Sequence, residues 1–366
     1  MMQDKDNNWL SSAEDIINNA RRYVKTAINS VMVYAYYEIG RMIVENEQHG
    51  KSRAAYGKQI LKELSEFLTD KFGKGFSVDN LENMRRFYLA YSDRISETAS
   101  RILTDGKSET VSRKLNEIAV KEIIPFTLSY SHYIVLSRIK DDNARRFYEI
   151  EAEKGNWSVK ALSRQIGSSL YERLALSRNK DEVMRLASEG QTVEKPSDLV
   201  KDPYVLEFLG LKEESAYSES ELETRIIDHL QDFLMEMGKG FTFVGRQVRF
   251  TFDEEHFKVD LVLYNRLLRC FVVIDLKIGK LKHQDLGQMQ MYVNYYDRYE
   301  KQPDENPTIG ILLCSNKNDN MVRLTLPENS NIYASKYELY LPDKALLQKK
   351  LEEWLAEEND KSGEVK

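Results

Sequence analysis

At 366 residues the chain is long enough for two or three domains with at least one sizeable hydrophobic core. Its formal net charge of -6 excludes a surface coated in basic charge, so a polyanionic partner must be held by a local patch. Cys270 and Cys314 lie in separate apolar runs without metal-ligand spacing, which excludes a disulfide framework and a zinc site. The start, MMQDKDNNWL, has no basic segment followed by an apolar core, and no apolar run reaches bilayer length. The expectation is a soluble cytoplasmic protein without a membrane partner.

From Ser11 to Glu47, apolar residues recur at helical spacing (Ile16, Ala20, Val24, Ala27, Val31, Tyr34, Ile39, Ile43), which predicts one long helix or a pair. A second helix runs from Tyr56 to Phe72, until Gly73-Lys74-Gly75 breaks the pattern. Ser77 is placed to cap the next helix, Asp79 to Tyr91. The polar stretch from Ser92 to Ser112 has little to bury and reads as a loop. Helical spacing returns from Leu128 to Ile139 and from Asp141 to Glu153, and Ser158 opens another helix, Val159 to Leu176.

The first half is therefore all helix, and its helix, short turn, helix units resemble a helix-turn-helix. Arg138, Lys140, Arg145, Arg146, Lys160, Arg164 and Arg173 are available there for phosphates. The competing reading makes these the solvated faces of structural helices, with Tyr130, Tyr133, Phe147, Tyr148 and Trp157 as core. The predicted boundaries are a helical domain over 1–186, a polar linker over 187–202 and a second domain over 203–366 with a C-terminal helical tail.

The second domain opens with a helix capped by Ser218 or Ser220, with Leu222, Ile226, Ile227, Leu230, Phe233 and Leu234 on its apolar stripe and Gly238 at its end. Glu219, Glu221 and Glu223 crowd its first turns, where acidic residues suit the helix dipole. Glu223 stands apart because Ile226 and Ile227 follow at i+3 and i+4, which sets it beside the buried stripe. A long strand, Phe241 to Phe252, bends at Gly245. Two apolar runs follow, Val259 to Tyr264 and Cys270 to Leu276, joined by a five-residue turn and each interrupted by one carboxylate. Strand alternation puts Asp275 and Lys277 on one face. Asp260, in an otherwise apolar strand, needs a strand end or a nearby cation, because an unpaired buried carboxylate is costly. Two carboxylates and an ammonium on neighbouring strands are the parts of a divalent-metal site. A helix from Lys282 to Arg298 and a buried strand from Thr308 to Cys314 complete the order αβββαβ.

With these residues in place, the domain resembles the PD-(D/E)xK nuclease superfamily: Asp260 on one strand and Asp275-Leu276-Lys277 on the next match its signature. GKGFTFVGRQ, RCFVVIDLKIGKL and GQMQMYVNYY, with NWSVKALSRQI in the first half, are similar to the YhcG-like bacterial family. The resemblance implies an all-α N-terminal domain followed by an α/β restriction-endonuclease-like domain with a mixed sheet. It also implies an early helix glutamate, mapped to Glu223 with Glu221 as the alternative, and a Q-x-x-x-Y pair at Gln288 and Tyr292. Val259, where the superfamily often has proline, is a departure. The expected activity is phosphodiester hydrolysis in DNA with Mg²⁺ or Mn²⁺ held by Asp260, Asp275, Glu223 and the Leu276 carbonyl. Lys277 would stabilise developing charge or orient water, and Gln288 would hold the nucleophile or a phosphate oxygen. A catalytically weak nucleic-acid-binding scaffold and a homo-oligomer assembled through the helical half are the alternatives.

Overall fold

The structure, a computed structural model, describes residues 29–47, 54–94, 126–176, 178, 180–211, 217–327 and 329–363. Residues 11–28 of the helix or pair predicted from Ser11 to Glu47, and most of the predicted loop from Ser92 to Ser112, lie outside them. The chain divides into two compact units, 1–162 and 163–366.

The described part of the first unit is helical, with α1 (29–47), α2 (Ala54–Phe72), α3 (Val78–Tyr91), α4 (Tyr130–Leu136) and α5 (Asp142–Lys154). The predicted cap forms, because Ser77 is extended (φ -60, ψ 156) and its hydroxyl accepts from the Asn80 amide. Asp141 caps α5 in the same way through the Asn143 amide at 2.9 Å. Aromatic rings fill the core, with Phe87 4.9 Å from Phe126 and 5.0 Å from Tyr133 between ring centroids. α1 and α3 touch at Gly40, where an added Cβ would lie 2.1 Å from the Met84 carbonyl oxygen. Phe147 and Tyr148 are fully buried, as their reading as core requires. Arg145 donates to the Ile139 carbonyl at 2.8 Å, pairs with Asp142 at 2.6 Å and covers the Tyr91 ring, so it serves the fold. Arg138, Lys140, Arg146 and Lys160 are exposed.

The division between units falls inside α6 (Val159–Gly167). The single helix expected from Val159 to Leu176 is interrupted, because Ser169 takes a left-handed φ of 53 before α7 (Leu170–Leu176) begins. α8 (Lys180–Glu189) follows. Arg164 and Arg173 are not phosphate ligands. Arg173 is buried against Glu236 at 2.7 Å, and Arg164 pairs with Glu207 at 2.9 Å. The stretch from Ala187 to Asp202 carries buried Leu199 and Lys201, and Lys239 donates to the Gln191 carbonyl at 2.8 Å.

The second unit is built on a six-stranded mixed sheet: β1 (Tyr204–Val205), β2 (Phe241–Phe252), β3 (Glu255–Asn265), β4 (Cys270–Lys280), β5 (Ile309–Asn316) and β6 (Ile332–Glu338), in spatial order β1-β6-β5-β4-β3-β2. β4, β5, β6 and β1 pair in parallel, while β3 runs antiparallel to both of its neighbours, β2 and β4. β1 and β6, unforeseen in the sequence, extend the four expected strands. One face of the sheet, with Leu261, Ile274, Leu276 and Ile311, packs on α9 (Glu219–Asp228) and α10 (Leu230–Met237), through Leu222, Ile226 and Phe233. The opposite face, with Val259, Val273 and Leu312, packs on α11 (His283–Tyr295) through Leu286, Met289 and Val293. Gly310 admits α11 closely, since a Cβ there would meet the Met289 sulfur at 2.7 Å. α12 (Asp319–Thr325) and α13 (Lys344–Gly363) complete the unit. The architecture is the expected one, a helical region followed by a mixed sheet with helices on both faces. No helix among the described residues is long and apolar enough to cross a membrane.

Candidate active site

β3 and β4 pair from Asn265↔Cys270 to Leu261↔Ile274 and then separate. The next residue of β3 is Asp260, and its side chain takes over where the backbone ladder stops: Oδ2 accepts from the Leu276 amide at 2.8 Å. A carboxylate that replaces a strand hydrogen bond satisfies an otherwise orphaned N–H at the fork. β4 runs on, held by β5 in the register Asp275↔Leu312 and Lys277↔Cys314. The fork thus opens on one side of a strand that remains fixed on the other.

Asp275 is 3% exposed and forms an ion pair with Lys277 Nζ at 2.8 Å. Burial, reinforced by the adjacent Asp260 carboxylate, raises its pKa from the ordinary value to about 7 against the pull of Lys277. For Lys277, burial acts to lower the pKa, but Asp275 overrides it and the net shift is upward. Beside Asp275 the charged ammonium form is therefore favoured.

Glu223 is buried at the site-facing side of α9. Its pKa is raised, first by burial and then by Asp260. Gln247 of β2 joins the two acids: its side-chain amide donates to Glu223 Oε2 and, at 3.1 Å, to Asp260 Oδ1. Gln247 has a left-handed φ of 51, unusual for a non-glycine residue inside a strand. Glu221 is exposed, and its amide takes the Ser218 cap at 3.1 Å. The helix therefore presents Glu223 to the fork, not the alternative. Glu219, one turn earlier on the same side, accepts from the Ile278 amide at 3.2 Å, and its charge acts on Lys277.

On the opposite face of the sheet, Gln288 donates to the Tyr292 hydroxyl at 2.5 Å, and Tyr292 donates to the Lys258 carbonyl at 2.9 Å. Burial, then Asp275, raises the Tyr292 pKa. In this arrangement the Gln288 amide group is engaged by tyrosine, and the pair ties α11 to β3 beside the acids. The structure thus gathers Glu223, Asp260, Asp275 and Lys277 at one fork, with Tyr292 near them.

Sequence reasoning missed Gln247, Glu219, Arg246 and Lys258; the last two are exposed cations whose charge acts on Glu223. The i,i+4 spacing of Glu219 and Glu223 was a usable signal. Nothing in FTFVGRQVRFTF marks Gln247, because its role depends on a backbone twist and on two acids from other elements. Hard oxygen donors of which Asp260 raises the pKa of both Glu223 and Asp275 are the donor chemistry that suits Mg²⁺ or a similar ion. As they stand, no three His, Cys, Asp or Glu side chains among the described residues are arranged to hold a metal ion; the acids approach pairwise.

The chain is 41% identical over 338 residues to YhcG of Escherichia coli (strain K12), which is named as a nuclease, and the alignment covers 91% of this chain and 90% of that one. The chain belongs to the YhcG family. Residues 197–352 match the YhcG PDDEXK nuclease domain and residues 12–173 match the DUF1016 N-terminal domain. As a member of this nuclease family the protein is a hydrolase acting on nucleic acid, and PDDEXK nucleases generally use divalent metals. Among solved structures, it aligns with a repair endonuclease from Pyrococcus abyssi at 20% identity, over 35% of this chain and 50% of that one (TM-score 0.23). It also aligns with EndoMS in the EndoMS-dsDNA2 complex at 21% identity, over 36% of this chain and 49% of that one (TM-score 0.25). Both alignments span about half of those chains.

Proposed function

We propose that this chain is a Mg²⁺- or Mn²⁺-dependent endonuclease that hydrolyses phosphodiester bonds of branched or foreign DNA, with the helical half serving recognition or oligomerisation. The observation that carries the reading is the meeting of Asp260, Asp275 and Lys277 where β3 and β4 part, with Glu223 linked in through Gln247. Asp260, Asp275, Glu223 and the Leu276 carbonyl would hold the cation. The chemistry supplied by the cation would be neutralisation of charge on the phosphoryl oxygens and a lowered pKa for the attacking water. Lys277 stays protonated beside Asp275 and offsets the negative charge that develops on the phosphoryl group. Gln247 holds Glu223 and Asp260 in register. Tyr292, its hydroxyl engaged at Lys258 and its pKa raised, fixes the wall of the site and is not the nucleophile. Family membership supports the chemistry, and the intact acid and lysine set favours a working enzyme over a scaffold.

The test is cleavage of linear, nicked, flapped and four-way-junction DNA with Mg²⁺, Mn²⁺ or excess chelator. Asp275→Ala should lower the rate by at least ~100-fold, and Lys277→Ala by ~100- to 1,000-fold, with far-UV circular dichroism unchanged. Asp275→Ala should leave DNA affinity equal or higher, because it removes a negative charge near the scissile phosphate. Full cleavage by Asp275→Ala with the same metal dependence would sink the assignment.

A further inference from the structure

A groove of ≈ 290 Å³ lies between the end of β2, one side of α11 and the π-helical segment Tyr296–Glu300 that continues it. Its floor and walls are aromatic. Phe250 and Tyr295 stack with centroids 3.9 Å apart and planes 17° apart, Tyr299 continues the row at 5.3 Å from Tyr295, and Phe252 closes it at 6.5 Å from Tyr299. Phe252 is 53% exposed and Tyr299 is 60% exposed. Among the described residues none covers the exposed faces of Phe252 and Tyr299, and large rings held together on a surface are the usual mark of a binding surface. The groove also carries polar groups at its rim. Gln290 donates to Asn294 at 3.2 Å, which leaves the Gln290 carbonyl and the Asn294 amide nitrogen as an acceptor and a donor. Arg298 is the one charged residue in the lining.

The position relates the groove to the chemistry. Phe250 lies 5.8 Å, centroid to centroid, from Tyr292, whose hydroxyl feels the charges of Asp275 and Asp260, so groove and fork are linked through that ring. We infer that this groove receives unpaired nucleobases of a single strand adjacent to the scissile phosphate, stacked on Tyr295, Tyr299 and Phe252 with a neighbouring phosphate met by Arg298. The inference rests on the nuclease reading and deepens it, because it names the substrate as nucleic acid with unpaired bases near the cut. Bases in a duplex have no free faces, whereas single strands are held by aromatic stacking that tolerates any sequence. The acidic residues Asp253, Glu254 and Glu255 around the β2–β3 turn, and Glu300, which accepts from Tyr295 at 3.3 Å, confine phosphate contact to Arg298 and leave base faces as the group that the rest of the groove suits.

The experiment is fluorescence anisotropy of the full chain with a labelled single-stranded oligonucleotide and with a blunt duplex of the same sequence, in Ca²⁺. Tyr299→Ala and Phe252→Ala are compared with the wild type, and Tyr299→Trp serves as the conservative variant. Both alanine variants replace exposed rings, and their unfolding midpoints are measured alongside. The expected result is a loss of single-strand affinity of about tenfold for each alanine variant, with duplex affinity changed less than twofold and Tyr299→Trp close to wild type. A 2-aminopurine in the strand should be quenched on binding to the wild type and less so with Tyr299→Ala. Unchanged single-strand affinity in both alanine variants, equal losses on duplex and single strand, or no measurable single-strand binding by the wild type each overturn the inference, and the first assigns the groove to another partner such as a protein. Because binding is read without hydrolysis, loss of binding in these variants together with absent cleavage in the wild type would reject the nuclease reading while leaving the groove assignment standing.

Discussion

An amide set between two carboxylates is a small feature with large leverage. Gln247 donates to both Glu223 and Asp260, and it does so from a left-handed backbone conformation that costs a non-glycine residue roughly 1 kcal/mol or more. Its local cost and its role at the site are therefore separable. Gln247→Gly removes the strain and the amide together, so thermal stability should hold or rise by up to ~1 kcal/mol. Gln247→Leu keeps bulk and strain but leaves two facing carboxylates without a donor. Both variants should bind Mn²⁺ more weakly by roughly tenfold in a calorimetric titration, the scale seen when a residue that orients a metal ligand is lost. If cation affinity is unaffected in both, Gln247 is only part of the strand and does not position the acids.

At the scale of elements, the buried pair Arg173–Glu236 fastens α7 to α10. Glu236 also accepts from the Val205 amide at 3.0 Å, so the short first strand is anchored by the same carboxylate. Burial alone would raise the Glu236 pKa, but Arg173, then Lys201, outweigh it and bring it down to about 2. The folded-state pKa lies below the ordinary carboxylate value, so this contribution to stability is present above that value and is lost as pH falls toward about 2. Glu236→Gln should destabilise the second unit by ~3–5 kcal/mol in urea unfolding at neutral pH, because it leaves Arg173 buried without its partner charge. The variant should also lose less stability than the wild type between pH 5 and pH 3, on the order of the ordinary carboxylate titration range. An unchanged urea midpoint would mean that water reaches this pair. A truncation at Asp198 would remove Arg173 and leave Glu236 exposed to the same penalty, so a fragment that begins there should fold poorly.

For the whole molecule, the question is what an acidic protein uses to hold a polyanion. Arg145, Arg164 and Arg173 are committed to the fold. Of the cations read as available for phosphates, Arg138, Lys140, Arg146 and Lys160 are exposed and so are positioned to meet them. Charge reversal at Arg146 and Lys160 together should weaken binding across all DNA sequences and flatten the slope of log affinity against log salt by roughly one per lost contact. An unchanged slope would move the helical unit from recognition to self-association, which sedimentation of the wild-type chain would register. Arg246 and Lys258 lie on the nuclease unit beside Glu223, and their reversal should change cleavage and binding together.

The sequence by itself determined most of the elements and which of them carry the acids and the lysine of the fork. Helical spacing, the Ser77 cap and the αβββαβ order are local properties, set by side-chain period and by single backbone hydrogen bonds, and so they were legible one stretch at a time. Asp275 and Lys277 shared a face for the same reason, since alternation along one strand needs no partner. Tertiary structure decided the rest. It chose Glu223 over Glu221, because the roll of α9 on the sheet depends on how Leu222 and Ile226 pack there. It broke two expected helices, at Ser169 and at His229. It turned two apparent phosphate ligands, Arg164 and Arg173, into structural ion pairs, because burial is a property of neighbours and not of the arginine. It also brought Gln247 to two acids from other elements. Contacts between residues distant in the chain depend on how the layers meet, and one-dimensional patterns hold no record of that meeting.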